Sequence, residues 1–147
     1  MSYGTSSDAG RSDAANGYAK PLPVITSLTQ GFWEHAKLHK LAMQVCTACG
    51  DLHFPASPVC PKCLSEAQEW RPVSGRGRLE SWVEFHRAYW PGFAADLPYR
   101  ACLVKLDEGP LLISNLVGEV PPIGHAVQVV FEKVTAEVTL PKFKRLD

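Results

Sequence analysis

The stretch Cys46-Thr47-Ala48-Cys49-Gly50-Asp51-Leu52-His53-Phe54-Pro55-Ala56-Ser57-Pro58-Val59-Cys60-Pro61-Lys62-Cys63 carries two Cys-x2-Cys pairs separated by ten residues. Four soft sulfur ligands on two tight knuckles with this spacing converge tetrahedrally on one metal ion. A thiol coordinates only after losing its proton, and a metal that selects the folded ligand set supplies folding energy to a segment too short for a core of its own. Gly50 relaxes the turn after the first knuckle. A catalytic zinc keeps an open position for water or substrate, whereas four cysteines fill the shell. Cys46, Cys49, Cys60 and Cys63 are therefore read as ligands of a structural Zn2+ ion. Iron takes the same four ligands, although nothing else in the chain points to electron transfer.

Upstream, residues 1–22 are rich in Gly, Ser, Ala and Asp, too polar to offset the entropy of ordering, and are expected to form a flexible tail. A helical segment follows over residues 23–41. Pro21 and Pro23 favour an extended approach, Thr26, Ser27 or Thr29 supplies a cap, and the helix runs through Gly31–Leu38 with Phe32 and Ala36 on one face. Residues 42–72 make up the ribbon, with Leu41–Val45 leading into the first cysteine pair and Phe54–Val59 into the second. Trp70 and Pro72 mark a junction.

Downstream, residues 73–147 read as β-structure. Gly75 and Gly77 flank Arg76 where a bulge or close backbone approach is permitted, and Leu79–His86 then forms a long strand rich in β-branched and aromatic residues. Arg100–Leu106 and Leu111–Val117 follow, joined by the turn sequence Asp107-Glu108-Gly109-Pro110. Val127–Val134 and Glu137–Leu140 bring the number of strands to five. The chain is thus expected to be mainly β: an N-terminal helical segment, a four-cysteine zinc ribbon, then a five-stranded Greek-key barrel of the OB type.

Lys plus Arg equals Asp plus Glu at 15 each, so the strong basic excess that marks a nucleic-acid-binding domain is absent. No apolar run reaches the roughly 20 residues needed to cross a bilayer, and no secretory leader is evident. The chain is read as cytoplasmic, a setting in which paired cysteines bind metal rather than form disulfides. The fifth cysteine, Cys102, sits in the apolar run Ala101–Val104 and is read as an inert buried thiol. His35 and His39 have the spacing of zinc-protease helices, but Ala36 stands where the catalytic Glu would be. His53 lies between the cysteine pairs and, with four cysteines already filling the shell, is read as a neighbour of the metal site or an exposed residue rather than a fifth ligand.

The connection from His86 to Arg100 concentrates four aromatic residues, two arginines and a histidine. Loops in this position carry ligand contacts in OB barrels, and aromatics with Arg are enriched in interface hot spots. His86, Arg87, Tyr89, Trp90, Phe93, Tyr99 and Arg100 are therefore candidate partner- or ligand-binding residues; capping of the barrel end is the other reading of the same aromatics. Arg76, Arg78, Lys142 and Lys144 are candidates for meeting phosphate oxygens. His86 has the chemistry of a general base, but no second catalytic group accompanies it, so no catalytic residue is assigned.

One further property of the sequence is the order in which its motifs occur. Phe32-Trp33-Glu34, the four-cysteine knuckles, Pro55 and Pro58, Gly75-Arg76-Gly77, His86 at a strand end, Pro98-Tyr99, Asp107-Glu108-Gly109, Ser114-Asn115-Leu116-Val117-Gly118 and Val138-Thr139-Leu140-Pro141 appear in series. This series, from Leu28 to Phe143, resembles domain-of-unknown-function family thirty-five. The resemblance implies the ribbon and OB barrel already read from the residues. It also implies acyl-CoA metabolism, with the chain acting as a non-catalytic subunit of a hetero-oligomer. The implied partners are thiolase-fold (lipid-transfer-protein-like) enzymes, including aldolases of steroid side-chain degradation, acyltransferases and thiolases. In such assemblies the small subunit stabilises the complex and helps form the CoA or substrate passage. No hydratase-like domain accompanies the motifs, so a free-standing subunit is expected. Two alternatives stand beside this: an independent acyl-CoA-binding module, in which Arg76, Arg78, Lys142 and Lys144 meet the phosphates while Trp90 and Phe93 shelter an apolar group, and a single-stranded nucleic-acid-binding OB protein.

Overall fold

In the computed structural model, which describes residues 18–147, one short strand joins the two halves of the molecule. This strand, β1 (Ala42–Cys46), is buried along its whole length between β2 (Leu52–His53) and β3 (Gln68–Pro72), both antiparallel to it. Its C-terminal residue is the first cysteine of the first knuckle, and Met43, with Leu41 just before the strand, reaches the opposite end of the fold. The expected flexible tail lies, for residues 1–17, outside the described residues.

Helix α1 (Gln30–Lys37) buries Phe32 and Ala36, the i,i+4 pair expected to face inward. Thr29 occupies the N-cap position but its hydroxyl does not cap the helix. Instead the Thr26 and Thr29 hydroxyls lie 3.2 Å apart and each meets the other residue's backbone N–H, a local turn that competes with capping. Gly31 lies directly against the Trp70 indole, and Phe32 gathers Trp33, Phe54 and Trp70 around its ring.

Two parts of the expected ribbon differ. The segment around Trp70, read as a junction, is strand β3, paired from Ala42↔Pro72 to Cys46↔Gln68, because Trp70 packs on the helix while its backbone completes β1. Phe54–Val59, read as an arm, forms no strand. Side chains take the place of a ladder there: Ser57 N–H donates to Gln44 Oε1 at 2.7 Å, and Gln68 Nε2 donates to the Ser57 carbonyl at 2.7 Å.

The remaining strands, β4 (Arg76–Phe85), β5 (Tyr99–Leu106), β6 (Leu111–Val117), β7 (Ala126–Lys133) and β8 (Thr139–Arg145), close into a barrel in the order β4-β5-β6-β8-β7. All pairs are antiparallel except β6 with β8, which run parallel, giving an OB-like Greek key. β4 starts three positions before Leu79, where it was expected to start, since Gly77 lets the backbone lie against Lys105 and Val104. β8 continues past Leu140 to Arg145, because Phe143 belongs in the barrel interior.

Leu79, Val104, Leu106, Leu112, Leu116, Val127 and Phe143 fill that interior, and Phe32, Leu41 and Met43 join the same cluster from the helix and ribbon side. Ribbon and barrel therefore share a core rather than meeting across a wet seam. Among the described residues no helix is long and apolar enough to cross a membrane.

Phe143 is fully buried although its neighbours Lys142 and Lys144 are cationic. Replacing it with Ala is expected to cost about 3–5 kcal/mol, the range for truncating a core aromatic. Urea unfolding of the zinc-loaded protein checks this; a loss below about 1 kcal/mol would show that Phe143 is not a core residue.

Candidate metal centre and aromatic loop

The two knuckles are copies of one another in hydrogen bonding. Gly50 N–H donates to the Cys46 carbonyl at 2.8 Å and Leu64 N–H to the Cys60 carbonyl at 2.9 Å. Cys46 N–H bonds the Asp51 carbonyl at 2.9 Å, and Cys60 N–H bonds the Ser65 carbonyl at 2.8 Å. Gly50 and Leu64 occupy equivalent positions with φ of 79° and 65°, so each knuckle turns through a left-handed residue.

All four sulfurs lie within 4.8 Å of one another, with Cys46 and Cys63 at 3.5 Å and Cys49 and Cys60 at 3.7 Å. Zinc–sulfur bonds of about 2.3 Å place tetrahedral ligands about 3.8 Å apart, so the cluster fits one ion. Cys46 and Cys60 are buried and Cys49 and Cys63 exposed, which puts the site at the surface end of β1. The backbone N–H of Cys49 points at Cys46 Sγ from 3.4 Å and holds that thiol down at about 7. Burial raises the Cys60 thiol, but the N–H groups of Cys63 and Lys62 more than offset it and the net shift is downward. The two buried thiols are thus the readier to ionise, whereas burial and the neighbouring sulfurs push Cys49 and Cys63 up, so zinc must displace protons from that outer pair; bound to all four sulfurs it would cross-link the two knuckles.

Behind the cluster, His53 is buried and its Nε2 lies 3.1 Å from Gln44 Oε1, while Nδ1 faces Asp51 Oδ2 at 3.3 Å. Gln44 therefore ties His53 and Ser57 together and fixes the span between the knuckles. His35 Nδ1 contacts the Gly31 carbonyl at 2.7 Å and His39 stacks on Phe131, so the pair does not form a metal site. Cys102 is buried within the barrel, and desolvation pushes its thiol up to about 11.

The loop between β4 and β5 contains a 3-10 turn over Pro91–Asp96. Phe85, Tyr99 and Phe93 stack in series with ring centroids 4.8 and 5.0 Å apart, a capping arrangement at the barrel end. Tyr89 is exposed at the loop tip with Arg87 over its ring. Arg100 Nε donates to Glu84 Oε2 at 2.9 Å and His86 Nε2 lies 3.2 Å from Glu84 Oε1. Among the described residues no hydroxyl or thiol hydrogen-bonds His86.

Phe93, Tyr99, Arg100 and Lys142 line a single cleft of about 340 Å³, together with Lys20 and Glu132. Its cations are already paired: Lys20 with Asp96, Arg100 with Glu84 and Lys142 with Glu132. Arg76 and Arg78 are not brought to it. They sit at the opposite end of β4, bonded to Gln128 Oε1 and the Gly124 carbonyl, and line no part of the cleft. Lys144 is exposed on β8 opposite Gln128.

A further feature was not read from the sequence. Ser81, Leu103 and Ile113 are directly opposite one another across β4, β5 and β6, as are Val83, Ala101 and Asn115. These positions face away from the core, yet Val83 is 56% and Ile113 76% exposed. Ile113 stands between two grooves of about 250 and 260 Å³, one lined by Trp82, Val83 and Leu103 and the other by Trp33, Phe54 and Pro141. The signal was present in Leu111-Leu112-Ile113, where apolar residues occupy both the inward and outward positions of one strand.

These features define a zinc-ribbon protein whose ribbon is built onto an OB-type barrel. The comparisons narrow that class. Residues 33–69 match a family model described as the ChsH2 rubredoxin-like zinc ribbon domain, and residues 70–132 match the ChsH2 C-terminal OB-fold domain. A DUF35 domain-containing scaffold protein of Methanothermobacter thermautotrophicus is 32% identical over 110 residues, covering 71% of this chain and 82% of that protein. The chain belongs to the DUF35 family. A solved structure described as Ltp2-ChsH2(DUF35) aldolase superposes with a TM-score of 0.76 at 35% identity, over 84% of this chain and 98% of that one. A probable enoyl-CoA hydratase alpha subunit of Thermomonospora curvata is 35% identical over 128 residues, 85% of this chain, which spans only 40% of that relative.

Two measurements check the metal centre. With zinc bound, thiol titration should find no fast-reacting cysteine; chelation should release four, and Cys102 should react only after denaturation. A fast-reacting fifth thiol in the chelated, still folded barrel would contradict the burial of Cys102. The knuckle symmetry makes a second test: Gly50→Ala is expected to cost about 1 kcal/mol through backbone strain alone, since nothing lies within 4 Å of the added Cβ. Leu64→Gly should be neutral or stabilising at the equivalent position. Denaturant unfolding that destabilises both variants equally would contradict the equivalence.

Proposed function

We propose that this chain is a non-catalytic accessory subunit that docks on a thiolase-fold acyl-CoA enzyme. The observation that carries the proposal is the uncharged, outward-facing apolar surface formed by Val83, Leu103 and Ile113 over β4–β6. Exposed contiguous apolar surface of this kind marks protein association. It lies on the face that OB barrels use for oligonucleotides, but a nucleic-acid site there needs cations and stacking rings. Here the opposed cations Arg78 and Lys105 stand at one end, and the outward rows Ser81–Leu103–Ile113 and Val83–Ala101–Asn115 carry no charge. Relatives support the same reading: they include proteins named as scaffolds and an aldolase described by two component names.

The four-cysteine shell offers no open position, and among the described residues no hydroxyl or thiol bonds His86, which supports a partner carrying the condensing or cleaving chemistry. Steroid side-chain aldolase, thiolase and acyltransferase partners all satisfy this proposal, with the aromatic loop helping to form the CoA or substrate passage. Independent acyl-CoA binding is the second reading, favoured by the cleft between Phe93 and Lys142. It requires a phosphate to displace Glu132 or Asp96 from an existing ion pair.

Co-expression with the thiolase-like protein encoded nearest to this chain, followed by size-exclusion chromatography with light scattering, tests the proposal. A hetero-oligomer is expected, and Ile113→Glu should weaken it at least about tenfold by burying an unpaired charge while leaving zinc content unchanged. Separate elution of the two folded wild-type proteins would reject accessory function. Calorimetric titration of a CoA thioester into the zinc-loaded chain would then decide the second reading.

A further inference from the structure

Part of the aromatic loop is occupied by the protein itself. The Ala19 carbonyl accepts a hydrogen bond from Trp90 Nε1 at 3.0 Å, across 71 positions of sequence. The next residue, Lys20, pairs with Asp96 at 2.5 Å and places its ammonium 5.3 Å from the centre of the Phe93 ring. Between these anchors Gly92 leaves the space through which Ala19 passes, since a Cβ at Gly92 would run into the Ala19 carbonyl. A donor for a backbone carbonyl, a ring and a carboxylate for the following cation, and a glycine for clearance together constitute a peptide-binding track. The Asp96 carboxylate also holds the Lys20 ammonium above its ordinary range.

Each contact is of a weak, exposed kind: one neutral hydrogen bond, one partly exposed ion pair and one cation–π contact. Their sum can hold the segment in place and still release it when a competing ligand takes the track. Lys20 also forms one wall of the cleft lined by Phe93, Tyr99, Arg100 and Lys142.

We propose that Tyr18–Lys20 is an intramolecular latch, which pins the Pro91–Asp96 turn and closes one side of the adjacent cleft. While the latch is seated, the Trp90 N–H and the Asp96 carboxylate are engaged internally. Its departure exposes both, together with the Phe93 ring, to an extended peptide that offers a backbone carbonyl followed by Lys or Arg.

The test uses the full-length, zinc-loaded protein and three substitutions that address separate contacts. Lys20→Gln removes the charge, Trp90→Phe keeps a ring but removes the donor, and Gly92→Ala fills the clearance. Chymotryptic cleavage after Tyr18 and hydrogen exchange of residues 86–98 are measured together. Each single contact removed should speed both by about three- to tenfold, the scale of one modest hydrogen bond or ion pair. Gly92→Ala should have the largest effect. Ribbon exchange over residues 42–72 should stay unchanged, which separates latch release from unfolding. Wild-type cleavage at the rate of a free peptide, or loop exchange unmoved by Lys20→Gln and Trp90→Phe, would overturn the latch.

Discussion

The approach of four sulfurs to within 4.8 Å of one another is the constraint on which the ribbon depends. The three-stranded sheet has a two-residue edge strand and a span between its knuckles that forms no strand, so it has little backbone cooperativity of its own. A metal at the sulfurs fixes one end of β1. The other end is fixed by Leu41 and Met43, which enter the cluster that also contains Phe143 and Val104 of the barrel. Five residues thus connect a coordination site to a hydrophobic core, and damage at either end is transmitted along β1.

How much of this was legible in the sequence follows from the kind of signal each element carries. The cysteine pairs were legible because their spacing alone specifies the geometry. The five barrel strands were legible because Leu79, Val104, Leu112, Val127 and their neighbours sit in short apolar runs between turn residues. β3 was missed because Gln68-Glu69-Trp70-Arg71-Pro72 shows no apolar alternation; it is a strand because β1 needs a second partner and Trp70 packs on the helix. The end of β8 was missed because Lys142 and Lys144 masked the one inward residue, Phe143. The Thr29 cap failed for a local reason, the competing hydroxyl pair with Thr26.

The candidate site separates by position rather than by residue type. Arg76 and Arg78 looked equivalent to Lys142 in sequence, yet they lie at the far end of β4, and side-chain distance of that kind has no one-dimensional signature. The aromatic loop divides in the same way. Phe85, Phe93 and Tyr99 stack as a cap, Trp90 is engaged by Ala19, and Tyr89 remains at the tip. The surface that favours partner binding instead arises from cross-strand register, which brings Leu103 beside Ile113 and Val83 beside Ala101. That combination, a four-cysteine structural metal site and an exposed apolar face, fits the accessory role proposed above.

The most direct measurement is the rate of acyl-CoA cleavage or condensation by the thiolase-like partner, assayed alone, with the zinc-loaded chain added, and with the chain by itself. Accessory function predicts no turnover by the chain alone and a substantial rise in the partner's rate, saturating at the stoichiometry of the complex. Turnover by the isolated chain, or full activity of the partner without it, would contradict that function.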